Sequence, residues 1–295
     1  MVNVRIIPRL DIKGPNLVKG VHFEGLRVLG KPEDFARRYY EHGADELIYM
    51  DVVASLYGRN SLLDIVERTS KEIFIPLTVG GGLRSVEDIR RVLRAGADKV
   101  SINTAALAQP SLIREACRAF GSSTIVVSIE AIRKADGRFE AYVDYGRQST
   151  GVDAVEWAKR AAELGAGELL VTSIEREGTG RGFDVELTRK IAESVPIPVI
   201  AAGGAGRVSH VHAAIVEGRA DAICVASLLH YHSVKHNAYD ASDFQREGNV
   251  EHLRRKGGFA NIEEATLPEI KEYLSARGIG CRWPQRACLT GAETP

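Results

Sequence analysis

The chain contains one long stretch twice. The segment IPLTVGGGLRSVEDIRRVLRAGADKVSINT (75–104) is followed 122 residues later by IPVIAAGGAGRVSHVHAAIVEGRADAICVAS (197–227). Each copy has the pattern of an apolar strand, a glycine-rich turn, an amphipathic helix, a second apolar strand and a small hydroxyl residue. A repeat of this length, with strands and helices alternating inside it, indicates a duplicated half-domain and not a solenoid of short repeats.

The similarity between the halves extends toward the amino terminus. EHGADELIYMDVVAS aligns with ELGAGELLVTSIERE at the same spacing, which places Glu46 over Glu168. The strand VRIIPRLD, ending at Asp11, aligns with a strand whose last residue is Glu130, at a spacing of 119 residues. The duplication therefore accounts for most of the chain.

Short apolar strands alternate with amphipathic helices along the whole repeat. The pattern predicts strands at 4–10, 46–51, 74–79, 98–103, 124–130, 168–173, 197–202 and 222–227. It predicts helices at 32–43, 61–70, 85–95, 110–119, 153–165, 185–194, 208–217 and 267–277. Eight strand and helix pairs favour a (β/α)8 TIM barrel built from two half-barrels, because buried parallel strands each need a crossover helix. An open doubly wound sheet is the alternative, but it leaves the matching halves unexplained.

The 295 residues are expected to form a single (β/α)8 barrel domain spanning 1–295. Two segments interrupt the strand and helix alternation. The alternating FEAYVDY between Glu130 and Gly151 predicts a small hairpin after strand five, and 230–266 is an insertion between strand eight and the last helix. Residues 284–295 are predicted to form a loose tail.

Charge and hydropathy exclude several classes of protein. The 39 basic residues balance 39 acidic residues, so no overall field attracts nucleic acid or a membrane surface. The amino terminus has no apolar run of signal-peptide length, and no segment approaches about 18 apolar residues. A cytoplasmic location is therefore expected. The four cysteines have no CxxC or similar ligand spacing, which argues against a disulfide set or a zinc site.

Half of the histidines lie in or beside the 230–266 insertion. They are His230, His232, His236 and His252. HxHxxxH suggests metal ligands, but no carboxylate or cysteine at a ligand spacing supports it, so no metal site is predicted. A lid over the pocket or a contact with a partner is the favoured role of the insertion.

Glycine-rich turns follow corresponding strands in the two halves. In a barrel of this kind the site lies at the carboxyl ends of the strands, where backbone amides before a helix attract phosphate. Thr104 and Ser227 end the adjacent strands and can each donate a hydroxyl. Two matched sites predict a ligand with a phosphate at each end, the alternative being tight turns that bind nothing. The glycines are Gly80, Gly81, Gly82, Gly203, Gly204 and Gly206.

Two carboxylates end corresponding strands of the halves. Asp11 ends strand one and Glu130 ends strand five, so they should face each other across the barrel mouth. Two carboxylates on either side of a substrate suit general acid and base catalysis. The alternative is that one of them caps a loop amide or pairs with Lys19.

Several motifs together resemble those of the cyclase subunit of imidazole glycerol phosphate synthase. The related isomerase of the same pathway shares the half-barrel repeat, but the SINTAA stretch and a set of four charged residues favour the cyclase. The resemblance covers about residues 1–230 and the last helix. The motifs are RIIPRLDIKG, LVKG, TVGGG, ADKVSINTAA, GSSTIVVSI, TSIEREGT and IAAGGAG.

The resemblance implies a duplicated (β/α)8 barrel that uses no cofactor. It implies that ammonia from a glutaminase (HisH-type) partner reacts with a bis-phosphorylated ribulosyl aminoimidazole carboxamide, closing an imidazole ring and releasing an aminoimidazole carboxamide ribotide. The pocket residues implied in this way, beyond the glycines and the two carboxylates, are Lys19, Asp51, Gly178 and Thr179, with Arg9, Glu175 and Glu177 at positions where the chain departs from the family.

The resemblance also implies an ammonia entrance at the amino-terminal face of the barrel, where the glutaminase would dock. Four charged residues of the family's types stand at the matching positions, all at strand starts. Ordinary ion pairs at the barrel bottom are the alternative, and the retention of all four favours an ammonia gate. They are Arg5, Glu46, Lys99 and Glu168.

The chain departs from the family at the residues expected to carry the chemistry. Glu130, Glu175 and Glu177 replace aspartates, and each extra methylene moves a carboxylate by more than about 1 Å. Arg9 replaces a cysteine, and strand alternation points it into the barrel. A buried guanidinium needs a partner. Arg9 is therefore predicted to pair with Asp11, Glu130 or Glu175 and to narrow the path of ammonia.

Three functions remain open from the sequence. The first is the ammonia-dependent cyclase of histidine biosynthesis, favoured by Asp11, Lys19 and both phosphate turns. The second is a paralogue that works with a glutaminase and a sugar amidotransferase to install an acetamidino group on a surface-polysaccharide sugar, favoured by the departures and the insertion. The third is a barrel without chemistry that serves as an ammonia conduit or scaffold.

Overall fold

Eight parallel strands close into a barrel in the computed structural model, which describes residues 3–54, 62–236 and 261–283. The first strand pairs with both the second and the last, and the fifth pairs with the sixth, which closes the sheet and confirms the predicted barrel over the open sheet. The barrel strands are β1 (Arg5–Lys13), β4 (Leu47–Asp51), β5 (Leu77–Gly80), β6 (Lys99–Ile102), β7 (Ile125–Arg133), β10 (Glu168–Ser173), β11 (Val199–Ala202) and β12 (Ala222–Val225).

Helices cover the outside of the barrel at the eight predicted places, and two further helices, at 104–108 and 227–236, were not predicted. Side-chain caps set their starts: the Asp153 carboxylate accepts hydrogen bonds from the amides of Val155 and Glu156, and Ser85 accepts one from Asp88. The helices are α1 (Pro32–Glu41), α2 (Leu63–Ser70), α3 (Val86–Arg94), α4 (Thr104–Ala108), α5 (Ser111–Phe120), α6 (Ala154–Glu163), α7 (Val185–Ala192), α8 (Val208–Val216), α9 (Ser227–His236) and α10 (Leu267–Ser275).

The 230–266 insertion is only partly described. Its first residues, His230 to His236, complete α9, although their weak periodicity did not predict a helix. Residues 237–260, the larger part of the insertion, and the predicted tail 284–295 lie outside the described residues. Within the described ranges, no helix combines the length and the apolar composition that a membrane crossing requires.

One hairpin follows the first strand of each half-barrel in the described chain. β8 (Phe139–Val143) and β9 (Gln148–Asp153) form the predicted one, while β2 (Asn16–Val21) and β3 (Glu24–Gly30) form a matching hairpin that the sequence analysis missed. Phe23 and Tyr145, at the two tips, occupy equivalent positions of the repeat and both have positive φ. Their ring centroids lie 4.2 Å apart, so the two halves touch above the barrel mouth.

The amino-terminal end of the barrel is fixed by a buried cluster around Asp45. One Asp45 oxygen accepts a hydrogen bond from the Ile6 amide at 2.7 Å, and the other accepts one from Lys271 Nζ of α10 at 2.8 Å. Lys271 also donates to the Gly43 carbonyl at 2.7 Å. Asp45 precedes β4 and Ile6 lies in β1. The cluster therefore fixes the relative position, along the barrel axis, of the two strand starts that carry Arg5 and Glu46.

Candidate active site and charge ring

The first glycine turn borders a cavity of about 350 Å³ at the carboxyl ends of β4 to β7. Gly81, Gly82 and Thr104 line this cavity together with Asp51 and Glu130, so five predicted pocket residues meet in one place. Gly81 has a φ of 100°, and a Cβ at this position would lie 2.3 Å from the Asp51 carbonyl oxygen. A side chain is therefore excluded, which leaves the backbone of this turn accessible from the cavity.

The second glycine turn borders a smaller cavity in the other half-barrel. Gly203, Gly204 and Ser227 line it with Gly178 and share it with Arg9 and Glu177. Gly204 has a φ of 108°, and a Cβ there would lie 2.2 Å from the Gly182 carbonyl oxygen. Ser227 is the first residue of α9, where unpaired amides and the helix dipole favour an anion. The second cavity holds only about 20 Å³, so the two halves present equivalent glycine turns on one face of the barrel beside cavities of very different size.

Arg9 and Asp11 form a buried ion pair between the two cavities. Arg9 Nε donates to Asp11 Oδ1 at 2.8 Å, and the two residues are only 4% and 2% exposed. Tyr145 donates its hydroxyl to the other Asp11 oxygen at 3.3 Å, and the Arg9 guanidinium lies 5.5 Å from the centre of the Phe23 ring. The prediction that Arg9 points into the barrel and pairs with a carboxylate is confirmed.

Lys19 pairs with Glu177 and not with Asp11. Its Nζ donates to Glu177 Oε1 at 2.5 Å and to the Gly20 carbonyl at 3.2 Å, and both side chains of the pair are buried. Gly178 holds this arrangement close to β2, because a Cβ on Gly178 would lie 2.5 Å from the Gly20 carbonyl oxygen. The alternative in which Lys19 neutralises Asp11 is therefore wrong, and Arg9 takes that place.

Glu130 lines the first cavity, and the pKa of its carboxyl group is raised. Burial raises the pKa of the Glu130 carboxyl to about 7, with the nearby Arg9 guanidinium opposing that rise. Asn103 Nδ2 donates to Glu130 Oε2 at 3.3 Å, and the Gly146 amide also donates to this carboxyl group. A carboxyl group that titrates near neutrality can both give and take a proton, as a general acid or base must.

Three residues that the sequence analysis did not select line the first cavity. Asn103 immediately precedes Thr104 in the SINTAA motif, so its place in that motif could have identified it as a pocket residue. Tyr145 reaches the cavity from the tip of the β8–β9 hairpin, and Arg84 follows the first glycine turn. Arg84 is a basic residue beside a predicted phosphate site. Its position in the turn before α3 is the sequence feature that could have identified it as a pocket residue.

Glu175 and Thr179 lie outside both cavities, contrary to the expectation that they surround the pocket. Glu175 is exposed and accepts a hydrogen bond from the Arg133 amide at 3.2 Å. Thr179 donates its hydroxyl to the Arg176 carbonyl at 2.7 Å. The physical reason is a tight turn after β10, in which the Glu177 amide bonds the Ser173 carbonyl, so Glu175 and Glu177 project to opposite sides.

The four charged residues at the opposite end of the barrel form a closed set, which we call the charge ring. Arg5 Nη1 lies 2.7 Å from Glu46 and 2.9 Å from Glu168, while Lys99 Nζ lies 3.1 Å from Glu46 and 2.6 Å from Glu168. Each cation therefore contacts both anions, which offsets the cost of removing these partly buried charges from water. The structure brings all four predicted gate residues together.

A buried chain of hydrogen bonds supports the backbone of Arg9. His230 Nε2 lies 2.9 Å from the Arg9 carbonyl oxygen and must donate to it, so His230 Nδ1 accepts from the Tyr39 hydroxyl at 2.6 Å. Burial, followed by the charge of Lys19, lowers the pKa of His230 to about 3. His230 is therefore a neutral core residue, and the expectation that it belongs to a lid or a partner contact is wrong.

His230 is expected to make the protein less stable in acid. The unfolded chain binds a proton at this residue below about pH 6.5, and the folded chain does not until about pH 3, so stability falls as the pH falls through this window. The expected slope is about 1.4 kcal/mol per pH unit. His230→Gln should flatten this slope, as measured by urea unfolding between pH 7 and pH 4.5. Parallel curves for wild type and His230→Gln would contradict this assignment.

Comparison with known proteins agrees with this geometry. Residues 5–235 match the model of the histidine biosynthesis protein family. The imidazole glycerol phosphate synthase subunit HisF of Legionella pneumophila is 59% identical over 208 residues, which cover 70% of this chain and 98% of the relative. The HisF subunit of Alkaliphilus metalliredigens is 52% identical over 234 residues, covering 79% and 93% of the two chains. That of Methanocaldococcus jannaschii is 45% identical over 301 residues, covering 96% and 99%. The chain therefore belongs to the HisF family of histidine biosynthesis proteins.

Proposed function

We propose that this chain is the ammonia-using cyclase subunit of an imidazole glycerol phosphate synthase and acts on a bis-phosphorylated ribulosyl aminoimidazole carboxamide. One observation carries this proposal: matched glycine turns border two cavities on the same face of the barrel, and the carboxyl groups of Glu130 and Glu177 each line one of them. Each turn would hold one phosphate of the substrate, with Thr104 and Ser227 donating hydroxyls. The reacting part of the substrate would then lie against Asp11 and Glu130.

Proton transfer is the chemistry that these two carboxyl groups would supply. Ring closure with ammonia requires protons to leave the incoming nitrogen and reach the departing group. Glu130, with a pKa of about 7, can exchange a proton at neutral pH. Asp11 is held by Arg9 and Tyr145, which fix the direction of its oxygens. Holding the substrate by both ends would convert its encounter with these groups into an oriented, intramolecular reaction.

The inside of the barrel would carry ammonia from the charge ring to the cavity. Side chains two residues apart on a strand share a face, so Ser101 lies one layer above Lys99 on β6, and Ser128 lies one layer below Glu130 on β7. Among the described residues, the buried hydroxyls of Ser101 and Ser128 have no hydrogen-bond partner, and both residues line the first cavity. They could exchange hydrogen bonds with a small polar molecule such as ammonia.

A glutaminase would dock on the amino-terminal face and deliver ammonia at the charge ring. Phe74 stands three residues before β5 on this face and is 78% exposed, with the Tyr40 ring packed edge-on against it. An exposed aromatic side chain beside a rim of charges is typical of an interaction surface. The proposal therefore places the partner opposite the substrate.

Two assays of ring closure test the proposed function. One supplies an ammonium salt to the isolated chain, and the other supplies glutamine together with a HisH-type glutaminase. Turnover in both assays, with glutamine the more efficient source, is expected. Absence of turnover with ammonium salt at any concentration would overturn the proposed activity.

The charge ring is expected to matter for glutamine-driven turnover only. Lys99→Met leaves Glu46 and Glu168 with one shared cation, so the carboxylates repel and the entrance loses its shape. Glutamine-driven turnover should fall by about 10-fold or more, which corresponds to about 1.4 kcal/mol, while ammonium-driven turnover should stay within about 2-fold. The matched control is Lys71→Met, which removes a largely exposed ion pair with Glu67. Equal losses in both assays would contradict a gate role.

One observation favours a second function. Arg9 lines the second cavity and pairs with Asp11, and its Nη2 has no hydrogen-bond partner among the described residues. A paralogue that passes ammonia to a sugar amidotransferase for acetamidino modification would not need Asp11 as a free carboxylate. Such a protein, like a simple ammonia conduit, would stimulate a glutaminase without closing the imidazole ring, so the ammonium assay separates both from the cyclase.

A further inference from the structure

A cluster of possible metal ligands lies on the outside of the barrel, away from both phosphate cavities. His232 and His236 are four residues apart in α9, and Glu264 comes from the segment that leads into α10. One donor atom from each of the three residues lies within 4.8 Å of the other two. Both histidines of the cluster line a surface cavity of about 350 Å³ that is also lined by His42. Nothing in the proposed cyclase mechanism uses these side chains.

The histidine spacing suits a metal ion. Histidines at i and i+4 of a helix present their rings on the same face. Here the two rings stack with centroids 4.2 Å apart and planes 25° apart. Stacked imidazoles that both carried charge would repel, and neutral imidazole is the form that binds metal.

The hydrogen bonding of His236 leaves its outer nitrogen available. His236 Nδ1 lies 3.0 Å from the His232 carbonyl oxygen, and a carbonyl can only accept, so Nδ1 carries the proton. The lone pair is therefore on Nε2. Metal-binding histidines commonly donate their second nitrogen to a backbone carbonyl in this way, which fixes the tautomer and the ring orientation.

Glu264 supplies the carboxylate that the sequence analysis did not find near HxHxxxH. It is separated from His236 by 28 positions, and the fold returns it to α9 through the Ala265 amide, which bonds the Leu228 carbonyl at 3.2 Å. Its side chain is largely buried, and Lys235 Nζ lies 3.4 Å from one of its oxygens. Because the Lys235 side chain is half-exposed, it can move into solvent when a metal ion takes its place beside the carboxylate.

We infer that His232, His236 and Glu264 form a site for a Zn²⁺-class divalent ion, with the fourth position open to solvent. Two nitrogens and one carboxylate oxygen are a ligand set that suits such an ion. Tetrahedral bonds of about 2.0–2.2 Å place donor atoms about 3.3–3.6 Å apart. The three donor atoms now lie within 4.8 Å of one another, so side-chain rotation must close the cluster by at most about 1.5 Å. The bound ion joins α9, which begins at Ser227, to the segment that precedes α10.

The test is zinc titration of the untagged full chain after removal of metal with a chelator. Competition with a chromophoric chelator measures stoichiometry and affinity. One zinc per chain is expected, and thermal unfolding should shift upward by roughly 5 °C or more at a free zinc concentration of about 100 times Kd. A cobalt-loaded sample should show the strong visible bands of four-coordinate Co²⁺.

Three variants identify the ligands, and one serves as a control. His232→Ala, His236→Ala and Glu264→Gln should each weaken zinc binding by more than about 100-fold, since loss of a ligand exceeds the effect of an outer-shell change. His212→Ala, a histidine of α8 whose ring packs against Tyr273, should bind zinc like the wild type. If the half-buried His232→Ala fails to fold, the exposed His236→Ala and the isosteric Glu264→Gln decide the result. Failure to bind one zinc per chain, or unchanged binding by these two variants, would overturn the site.

Discussion

Glu130→Gln is expected to lower ammonium-driven ring closure by about 10²–10⁴-fold, the usual contribution of a general acid or base. Glutamine has the same shape as the protonated glutamate, and it can still accept a hydrogen bond from Asn103. The substitution therefore removes the titrating proton and little else. Steady-state turnover with an ammonium salt measures the loss without involving the partner.

The pH dependence of the wild type should report the same residue. Burial raises the pKa of Glu130 to about 7, so the log of the rate should bend near pH 7 and the bend should be absent in Glu130→Gln. A rate that increases through pH 7 assigns Glu130 as the base, and one that decreases assigns it as the acid. Because its folded pKa lies above the unfolded value of about 4.3, Glu130 also stabilises the fold less as the pH rises from about 4.3 to 7. An unchanged rate profile in Glu130→Gln would contradict a catalytic role.

Glu130→Asp provides the matched control for position. It keeps the carboxyl group but withdraws it by one methylene, which moves the reacting oxygen by more than about 1 Å and can cost about 10²-fold in rate. If the chain has rearranged its pocket to suit the longer residue, Glu130→Asp should be slower than the wild type but faster than Glu130→Gln. A faster Glu130→Asp enzyme would show that glutamate is poorly placed for this substrate.

The repeat in the sequence was sufficient to predict the barrel. Equivalent strands in two halves, each followed by a helix, restrict the chain to a closed sheet, and the closure brings the strand ends of both halves to one face. Arg5, Glu46, Lys99 and Glu168 could be placed at the other face because each stands at the start of a strand. These features depend on strand direction and period, which local sequence controls.

Features that depend on turns and on distant segments could not be predicted in this way. Glu175 and Glu177 were treated alike, but a tight turn after β10 sends them to opposite sides. Strand alternation predicted that Arg9 points into the barrel. It did not predict which carboxylate Arg9 contacts, because this depends on Lys19 being paired with Glu177 and not with Asp11. Tyr145 reaches Asp11 through a hairpin tip with positive φ, which has no periodic signal.

Asp11→Asn is expected to lower the free energy of unfolding by about 3–5 kcal/mol, because it leaves the Arg9 guanidinium buried without its counter-charge. The Arg9 side chain is 4% exposed and has no carboxylate bonded to it other than Asp11 among the described residues. Nearby Glu130 offsets only part of the loss, because it is partly protonated at neutral pH. Urea unfolding at pH 7 measures the change.

The double variant Arg9→Met with Asp11→Asn should recover most of that stability. Methionine fills a similar volume without a charge, and replacing a buried ion pair by apolar side chains is commonly neutral or stabilising by about 1–4 kcal/mol. The double-mutant cycle should therefore give a coupling energy of about 2 kcal/mol or more between the two positions. Additive effects would mean that Arg9 is stabilised mainly by its contact with the Phe23 ring.

The single variant Arg9→Met relates this ion pair to function. It leaves Asp11 with the Tyr145 hydroxyl and no cation, and the shorter, uncharged side chain leaves more room beside the carboxylate. If Arg9 restrains ring closure, ammonium-driven turnover should rise in Arg9→Met even though the protein is less stable. If Arg9 instead donates its unpartnered Nη2 to the substrate phosphate in the second cavity, turnover should fall, with the loss appearing in KM. An unchanged rate and KM would mean that the ion pair has a purely structural role. The presence of Arg9 would then favour neither the cyclase nor the paralogue.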